Sequence, residues 1–266
     1  MSRRPAVFGV LALSAALVLT ACSSNSTEPG AAAGDDFGLV KSGTLTVATE
    51  GTYRPFTFHD ETGALVGFDV EIIEAVAEKL DLEVEFQETQ WDGIFAGLDA
   101  GRFDVIANQV SINPEREEKY LFSTPYTVSS GVIVVKEGDD SITSFADLAG
   151  KTTAQSLTSN WYTLAEENGA KVEAIEGWAQ AVELLRQDRV DATVNDELTY
   201  LDYEKTNGPT GLKVAAETDD PAQSAVAATK DKTALIEAID GALDELREDG
   251  TLAEISDKYF GADVTE

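Results

Sequence analysis

From Leu45 onward the chain alternates short runs of strand periodicity with longer windows of helical periodicity. Leu45-Thr46-Val47-Ala48 reads as a first strand. Phe68, Ile72, Ile73, Val76, Ala77 and Leu80 recur at the spacing of one helix face, and Leu82-Glu83-Val84-Glu85-Phe86 then alternates at period two. Strand, loop, helix, strand predicts an α/β body with largely parallel sheets. Nearer the C-terminus, Leu235, Ile239, Leu243 and Leu246 form another apolar stripe, stopped by Gly250. Thr251-x-x-Glu254 then predicts a capping box opening a last helix that runs to about Phe260, before Gly261.

The chain also resembles itself. A shift of 87 residues lays Trp91, Leu98, Arg102, Asp104 and Asn108 on Trp178, Leu185, Arg189, Asp191 and Asn195. Each copy is a helical window, a tight turn and a hydrophobic strand ending at Asn, which predicts two lobes built alike. Each copy also sets polar residues at the carboxyl end of its strand, Asn108-Gln109-Val110-Ser111 in one and Asn195-Asp196-Glu197 in the other. Loop groups and helix amino termini converge at that edge of an open sheet, so two such edges facing each other make a cleft. Polar residues that only cap strands and start helices would look the same.

Ahead of this body lies a different kind of segment. Arg3 and Arg4 precede an uncharged stretch, Ala6 to Thr20, that closes on Leu19-Thr20-Ala21-Cys22. A basic start, an apolar run and small residues before a cut make a secretory signal, and the run is too short for a spanning helix. Leu-Thr-Ala-Cys resembles the lipobox of bacterial lipoproteins, which implies a diacylated Cys22, a stable two-chain anchor and an extracytoplasmic body held to the membrane. The Ala-, Gly- and Ser-rich stretch that follows reads as a flexible tether.

Composition removes most other chemistries. Nineteen Lys and Arg stand against 49 Asp and Glu, a net charge of −30. Phosphate-backbone binding needs clustered cations, so nucleic acid is excluded as a partner. One His and one Cys leave no common zinc set, no intramolecular disulfide and no Cys-x-x-Cys pair. Asp139-Asp140 and Asp219-Asp220 lack the spacing of a calcium loop and read as solvated turns, as does His59 in Phe58-His59-Asp60-Glu61.

Two segments carry candidate binding chemistry. Asn113-Pro114-Glu115-Arg116 predicts a helix start with Asn as cap and Pro at the first position. Arg116 then lies in the first turn, where the macrodipole disfavours a cation. Either Glu115, Glu117 or Glu118 offsets it on a solvated face, or its guanidinium grips a ligand carboxylate. Glu50-Gly51-Thr52-Tyr53-Arg54-Pro55-Phe56 follows the first strand, and Tyr53 and Phe56 are there either core lids or apolar walls of a site.

Glu50-Gly-Thr-Tyr53-x-Pro-Phe56, Gly67-Phe68-Asp69-Val70, Trp91-Asp92-Gly93, Asn108-Gln-Val-Ser111-Ile-Asn-Pro-Glu-Arg116, Phe122-Ser-Thr-Pro-Tyr126 and the stretch from Gly250-Thr-Leu to Tyr259-Phe260-Gly261-Ala-Asp resemble the extracytoplasmic solute-binding proteins of polar amino-acid ABC importers (family 3). Among these they are most similar to the cystine-binding branch. The resemblance implies a two-lobed, periplasmic-binding-protein-like (type II) α/β fold with two hinge crossovers, near Ser129 to Val132 and near Ser224 to Ala227, and a central ligand cleft. The expected organisation is a lipoprotein signal peptide in 1–22, a tether in 23–37, lobe one in 38–130 with 226–266, and lobe two in 131–225. It further implies an amino-acid ligand, a permease partner, no catalysis, and no metal or cofactor.

By position, the resemblance makes Arg116 the grip on the ligand α-carboxylate with Ser111 beside it, Asp196 the acid for the α-ammonium, and Tyr53 the aromatic over the side chain. Glu50, Phe56, Trp91, Asn108, Gln109, Ser159 and Asn160 complete the expected lining. One departure stands out: where the family often has Gly-Thr opening a lobe-two helix, this chain has Thr158-Ser159. The competing expectations are a dehydratase-like enzyme using carboxylates such as Glu50, Asp92 or Glu197, and a ligand-sensing partner of a membrane signalling protein.

Overall fold

The computed structural model describes residues 37–265, which lie within one compact unit, Ala32–Glu266. The expected signal, Cys22 and all of the expected tether except Phe37 lie outside the described residues.

The chain opens on β1 (Thr44–Thr49), buried along its whole length. A small antiparallel sheet of β2 (Thr52–Tyr53), β3 (Thr57–His59) and β4 (Leu65–Val66) follows, then α1 (Phe68–Lys79), β5 (Glu83–Glu88), α2 (Trp91–Asp99), β6 (Val105–Ser111), α3 (Pro114–Lys119), β7 (Tyr120–Phe122) and β8 (Thr127–Ser129). The chain then enters a second body with β9 (Gly131–Lys136), β10 (Thr152–Ser156), α4 (Asn160–Glu167), β11 (Lys171–Ile175), α5 (Trp178–Arg186), β12 (Thr193–Asp196), α6 (Glu197–Asn207) and β13 (Leu212–Glu217). It returns through β14 (Ala222–Thr229) to α7 (Thr233–Glu248) and α8 (Thr251–Phe260).

The first sheet runs β5-β1-β6-β14-β7, with β8 also on β14. In the second body the parallel pair β10-β11 meets the antiparallel set β12-β9-β13 through one bridge, Thr153 to Ala192. Both sheets are mixed rather than largely parallel. β14 is antiparallel to its partners in the first sheet, and β9 is antiparallel to both of its neighbours in the second.

The first passage between bodies falls at Ser130, between β8 and β9. The second lies at 218–221, between β13 and β14, and not at Ser224 to Ala227. Those residues pair with β6, β7 and β8 inside the first sheet and are fully buried or nearly so.

The internal repeat is a structural one. Trp91 opens α2 and Trp178 opens α5. The two matched aspartates do the same job in each copy. Asp104 accepts the Thr46 N–H on Oδ2 (3.0 Å) while its own N–H donates to the Thr46 carbonyl (2.9 Å). Asp191 accepts from Thr152 N (2.8 Å) and donates to its carbonyl (2.7 Å). The first pair ties β1 to the approach of β6, and the second ties β10 to the approach of β12.

The core of lobe one lies between the sheet and α1, α7 and α8, with the predicted stripes of α1 and α7 buried in it. Asn113 caps α3 as expected, accepting from Arg116 N at 2.9 Å. The capping box at Thr251 does not form. Asp249 takes the Thr251 N–H and hydroxyl on Oδ1 (3.0 and 2.6 Å), because an ionised carboxylate two residues upstream outcompetes the helix's own Glu254.

The start of α1 sets the position of the loop that carries Tyr53. Phe68 N and Asp69 N donate to the Pro55 and Phe56 carbonyls, both at 3.0 Å. This close approach needs Gly67, at φ +142: a Cβ there would lie 2.1 Å from the Phe56 carbonyl oxygen.

Candidate functional site

A cavity of about 610 Å³, open mouth included, lies between the two lobes. Glu50, Tyr53, Trp91, Asn108 and Gln109 line it from lobe one, and Gln155, Ser159, Asn160, Trp161, Trp178 and Asn195 from lobe two. Hydrogen bonds span the lobes around it. Tyr53 Oη donates to Asn195 Oδ1 (2.9 Å) and accepts from Thr199 Oγ1 (3.2 Å), and Arg116 Nη2 donates to the Thr158 carbonyl (3.2 Å). Arg54 and Asp202 form an ion pair at 3.4 Å on the rim. The two lobes are therefore closed on each other.

On the lobe-one wall, Asn108 organises Glu50. Its Oδ1 accepts the Glu50 N–H (2.8 Å) and its Nδ2 donates to Glu50 Oε2 (2.7 Å). Burial still pushes the Glu50 carboxyl up to about 7. The bonds from Asn108 and the Trp91 N–H pull it down, and the charges of Asp92 and Glu176 push it further up. Next to it, Gln109 holds a left-handed backbone at φ +51, a conformation that costs a non-glycine residue and needs support. The support is Asp69, fully buried, which accepts Gln109 N and Gln109 Nε2, each at 2.7 Å. Gln109 Nε2 also donates to Thr127 Oγ1 (3.0 Å), so both of its hydrogens are used and Oε1 is left as a buried acceptor without a partner.

Arg116 is 8% exposed and lies outside the main cavity, in an adjoining groove with Thr158 and Asn160; Asn160 lines both spaces. The charge of Glu115 favours the cation from a distance, but the contacts of the guanidinium are made elsewhere. It donates to the Ser111 carbonyl (2.9 Å) and the Thr158 carbonyl, and sits 5.3 Å from the ring centres of both Trp91 and Phe95. Two carbonyls use two of its five donors. With burial the main cause, its pKa falls to about 10. Ser111 reaches this group through its carbonyl rather than its hydroxyl.

Asp196 is buried and is not part of the cavity wall. Its Oδ1 accepts from Ser129 Oγ (2.8 Å), beside the first passage between lobes, and from Leu198 N (2.9 Å), capping α6. Burial raises its carboxyl to about 7 against those two bonds, and the charges of Glu197 and Asp69 raise it further. Phe56 is a core residue, fully buried with ring centres 5.0 Å from Tyr53, 6.5 Å from Phe68 and 6.0 Å from Phe260. Ser159 caps α4 by accepting from Tyr162 N at 3.0 Å. Thr158, at the departure from the Gly-Thr pattern, keeps a left-handed φ of +66, the conformation a glycine would adopt without strain.

Residues 45–262 match the bacterial extracellular solute-binding proteins, family 3. The chain belongs to that family. It is 48% identical to the L-cystine-binding protein TcyA of Bacillus subtilis (strain 168), with 98% of each chain covered. It is 46% identical to the L-cystine solute receptor of Neisseria gonorrhoeae in its unliganded open conformation, TM-score 0.59, covering 84% of this chain and 95% of that one. It is 40% identical to an ancestral arginine-binding protein bound to arginine, TM-score 0.77, covering 82% and 98%. The more similar sequence superposes less well, as expected when a closed pair of lobes is laid on an open one.

As a family 3 solute-binding protein, the chain is a binding module and not an enzyme. Its two-lobed type II fold places the cavity where the sequence put the cleft. No helix among the described residues is long and apolar enough to cross a membrane.

Sequence reasoning named Trp91 but missed Trp178 and Gln155 as lining residues. The 87-residue shift lays one Trp on the other and could have found Trp178. Gln155 sits mid-strand in β10 and carries no such signal.

The buried acids predict a pH dependence of the unliganded solute-binding protein. Glu50 and Asp196 rise to about 7 and Asp69 to about 6, each mainly by burial. Between about pH 4 and 7 the folded chain holds protons that the unfolded chain has released. Stability is therefore greatest near pH 4 to 5 and falls as pH rises through the window, by about 1.4 kcal/mol per group per pH unit. Thermal melts without ligand are expected to show a lower Tm at pH 8 than at pH 5.5. A Tm that rises over that interval would mean these carboxyls ionise freely in the folded state.

Proposed function

We propose that this protein is the extracytoplasmic receptor of an ABC importer, which closes its lobes on L-cystine and delivers it to the permease. Anchoring through a diacylated Cys22, and a hinge that moves residues up to Ser129 and from Ala222 onward against 131–217, belong to the same reading. The carrying observation is the closed cavity, walled from both lobes by residues that include Trp91, Gln109, Gln155 and Trp178, each with a buried polar atom that has no partner within the protein. Relatives that share most of its length bear the names of L-cystine receptors.

In this reading the α-carboxylate takes free donors of Arg116 with the Ser159 side, and the α-ammonium takes Gln109 Oε1 and the Asp196 carboxylate. Asp196 belongs to lobe two and Arg116 to lobe one, so one zwitterion joins both. A buried charge left without a partner costs several kcal/mol. Only a filled cleft gives each of these groups an opposite charge, and that difference in affinity between open and closed states is what drives closure.

The test is a thermal-shift panel of amino acids on the purified soluble body. A ligand at about a thousand times its Kd adds about 4 kcal/mol, which moves Tm by roughly 10 °C in a chain of this size. L-Cystine is expected to give the largest shift. A shift with another polar amino acid and none with cystine would reassign the ligand; no shift with any would remove the receptor reading.

A further inference from the structure

The cavity has a second polar end, which the groups for one amino-acid head do not explain. Gln155 is 3% exposed and lines the cavity; its Oε1 accepts from Thr153 Oγ1 (2.9 Å), while its Nε2 is buried without a partner. In the β10-β11 ladder Gln155 lies opposite Ala174, two residues before Glu176 and just ahead of α5. The first residue of α5, Trp178, also lines the cavity and also has a buried, unpartnered Nε1. Gly177, the N-cap, offers no side chain to the first turn of this nine-residue helix, so its leading N–H groups lack that partner. An amide N–H, an indole N–H and a helix amino terminus all point to an anion.

Glu50 stands close to this end. Its carboxyl responds to the charge of Glu176, immediately before Gly177, and it accepts from the Trp91 N–H. Glu50 lines the same cavity as Trp178, so the two carboxylates, Glu50 and Glu176, call for a cation between them, while the N–H donors of Gln155, Trp178 and the α5 amino terminus call for an acceptor.

We infer that this end of the cavity is a second amino-acid head-group subsite, in which Gln155 Nε2, Trp178 Nε1 and the α5 amino terminus hold a carboxylate and Glu50 holds the neighbouring ammonium. The ligand class is then a molecule with two amino-acid heads on one flexible chain. The inference rests on the receptor reading above and adds how a disulfide-linked dimer is told from a single amino acid.

Titration calorimetry at pH 7.5 compares L-cystine with the mixed disulfide of L-cysteine and cysteamine, which lacks only the far carboxylate. The wild-type body is expected to bind cystine at least tenfold more tightly. Trp178→Phe and Gln155→Glu are each expected to shrink that ratio to about threefold or less. Equal wild-type affinities overturn the subsite and leave the receptor reading standing, as do variants that weaken both ligands in parallel. If neither disulfide binds but another amino acid does, the cystine assignment falls and the subsite with it. The wild-type comparison needs no variant to fold.

Discussion

Asp196→Asn is expected to weaken ligand binding about a hundredfold while leaving the unliganded protein as stable as before, or more so. Asn caps a helix as well as Asp, and its Oδ1 can keep both bonds that Asp196 makes, from Ser129 Oγ and Leu198 N. Burial already disfavours the charged form of Asp196 in the empty protein, so deleting that charge removes a cost. The loss appears only with ligand, when an ammonium arrives and finds a neutral amide. Removing one partner of a buried charge pair costs about 2–5 kcal/mol, and about 3 kcal/mol is a hundredfold in Kd. Calorimetry for affinity and a melt without ligand separate the two effects. Wild-type affinity in the variant would place the ammonium elsewhere.

Gly67→Ala is expected to lower stability by about 3 kcal/mol or more. The added methyl would meet the Phe56 carbonyl oxygen at 2.1 Å, its carbon at 2.4 Å and Thr57 N at 2.8 Å, all of them backbone atoms. The left-handed φ of +142 adds strain for any side chain. No rotamer change relieves a backbone clash, so the 53–56 loop must pull away from α1. The fully buried ring of Phe56 and the Tyr53 hydroxyl that reaches Asn195 would move with it. Denaturant unfolding measures the first effect. Ligand affinity measures the second, and a variant with wild-type stability would mean that the loop shifts at little cost.

How much of this was legible in the sequence depended on how local each signal is. The α1 and α7 stripes and the Asn113-Pro114 start of α3 were readable, because periodicity and capping act within a few residues. The second passage between lobes carries no local signal. Ser224 to Ala227 is a small-residue run without a helical or alternating pattern, and its place in the first sheet is fixed only by β6, far away in the chain. The turn that does make the passage includes Asp219 and Asp220, whose pattern predicts no more than a solvated turn.

The site was legible as a set of residues and less so as an arrangement. Glu50, Tyr53, Trp91, Asn108, Gln109, Ser159 and Asn160 meet at the cavity. Arg116 and Asp196 sit behind or beside it, engaged with carbonyls, a hydroxyl and an N–H, because a buried charge must find partners in whatever tertiary surroundings enclose it. Phe56 went to the core. Spacing along the chain does not separate a loop aromatic that roofs the core from one that walls a ligand.

The chain has three tryptophans, and Trp91, Trp161 and Trp178 all border the same cavity, one from lobe one and two from lobe two. Indole emission follows the polarity around the ring, and here no tryptophan elsewhere dilutes the signal. The intrinsic fluorescence of this protein is thus a label-free optical gauge of lobe closure, with the wavelength shift on mixing reporting the rate at which the jaws meet.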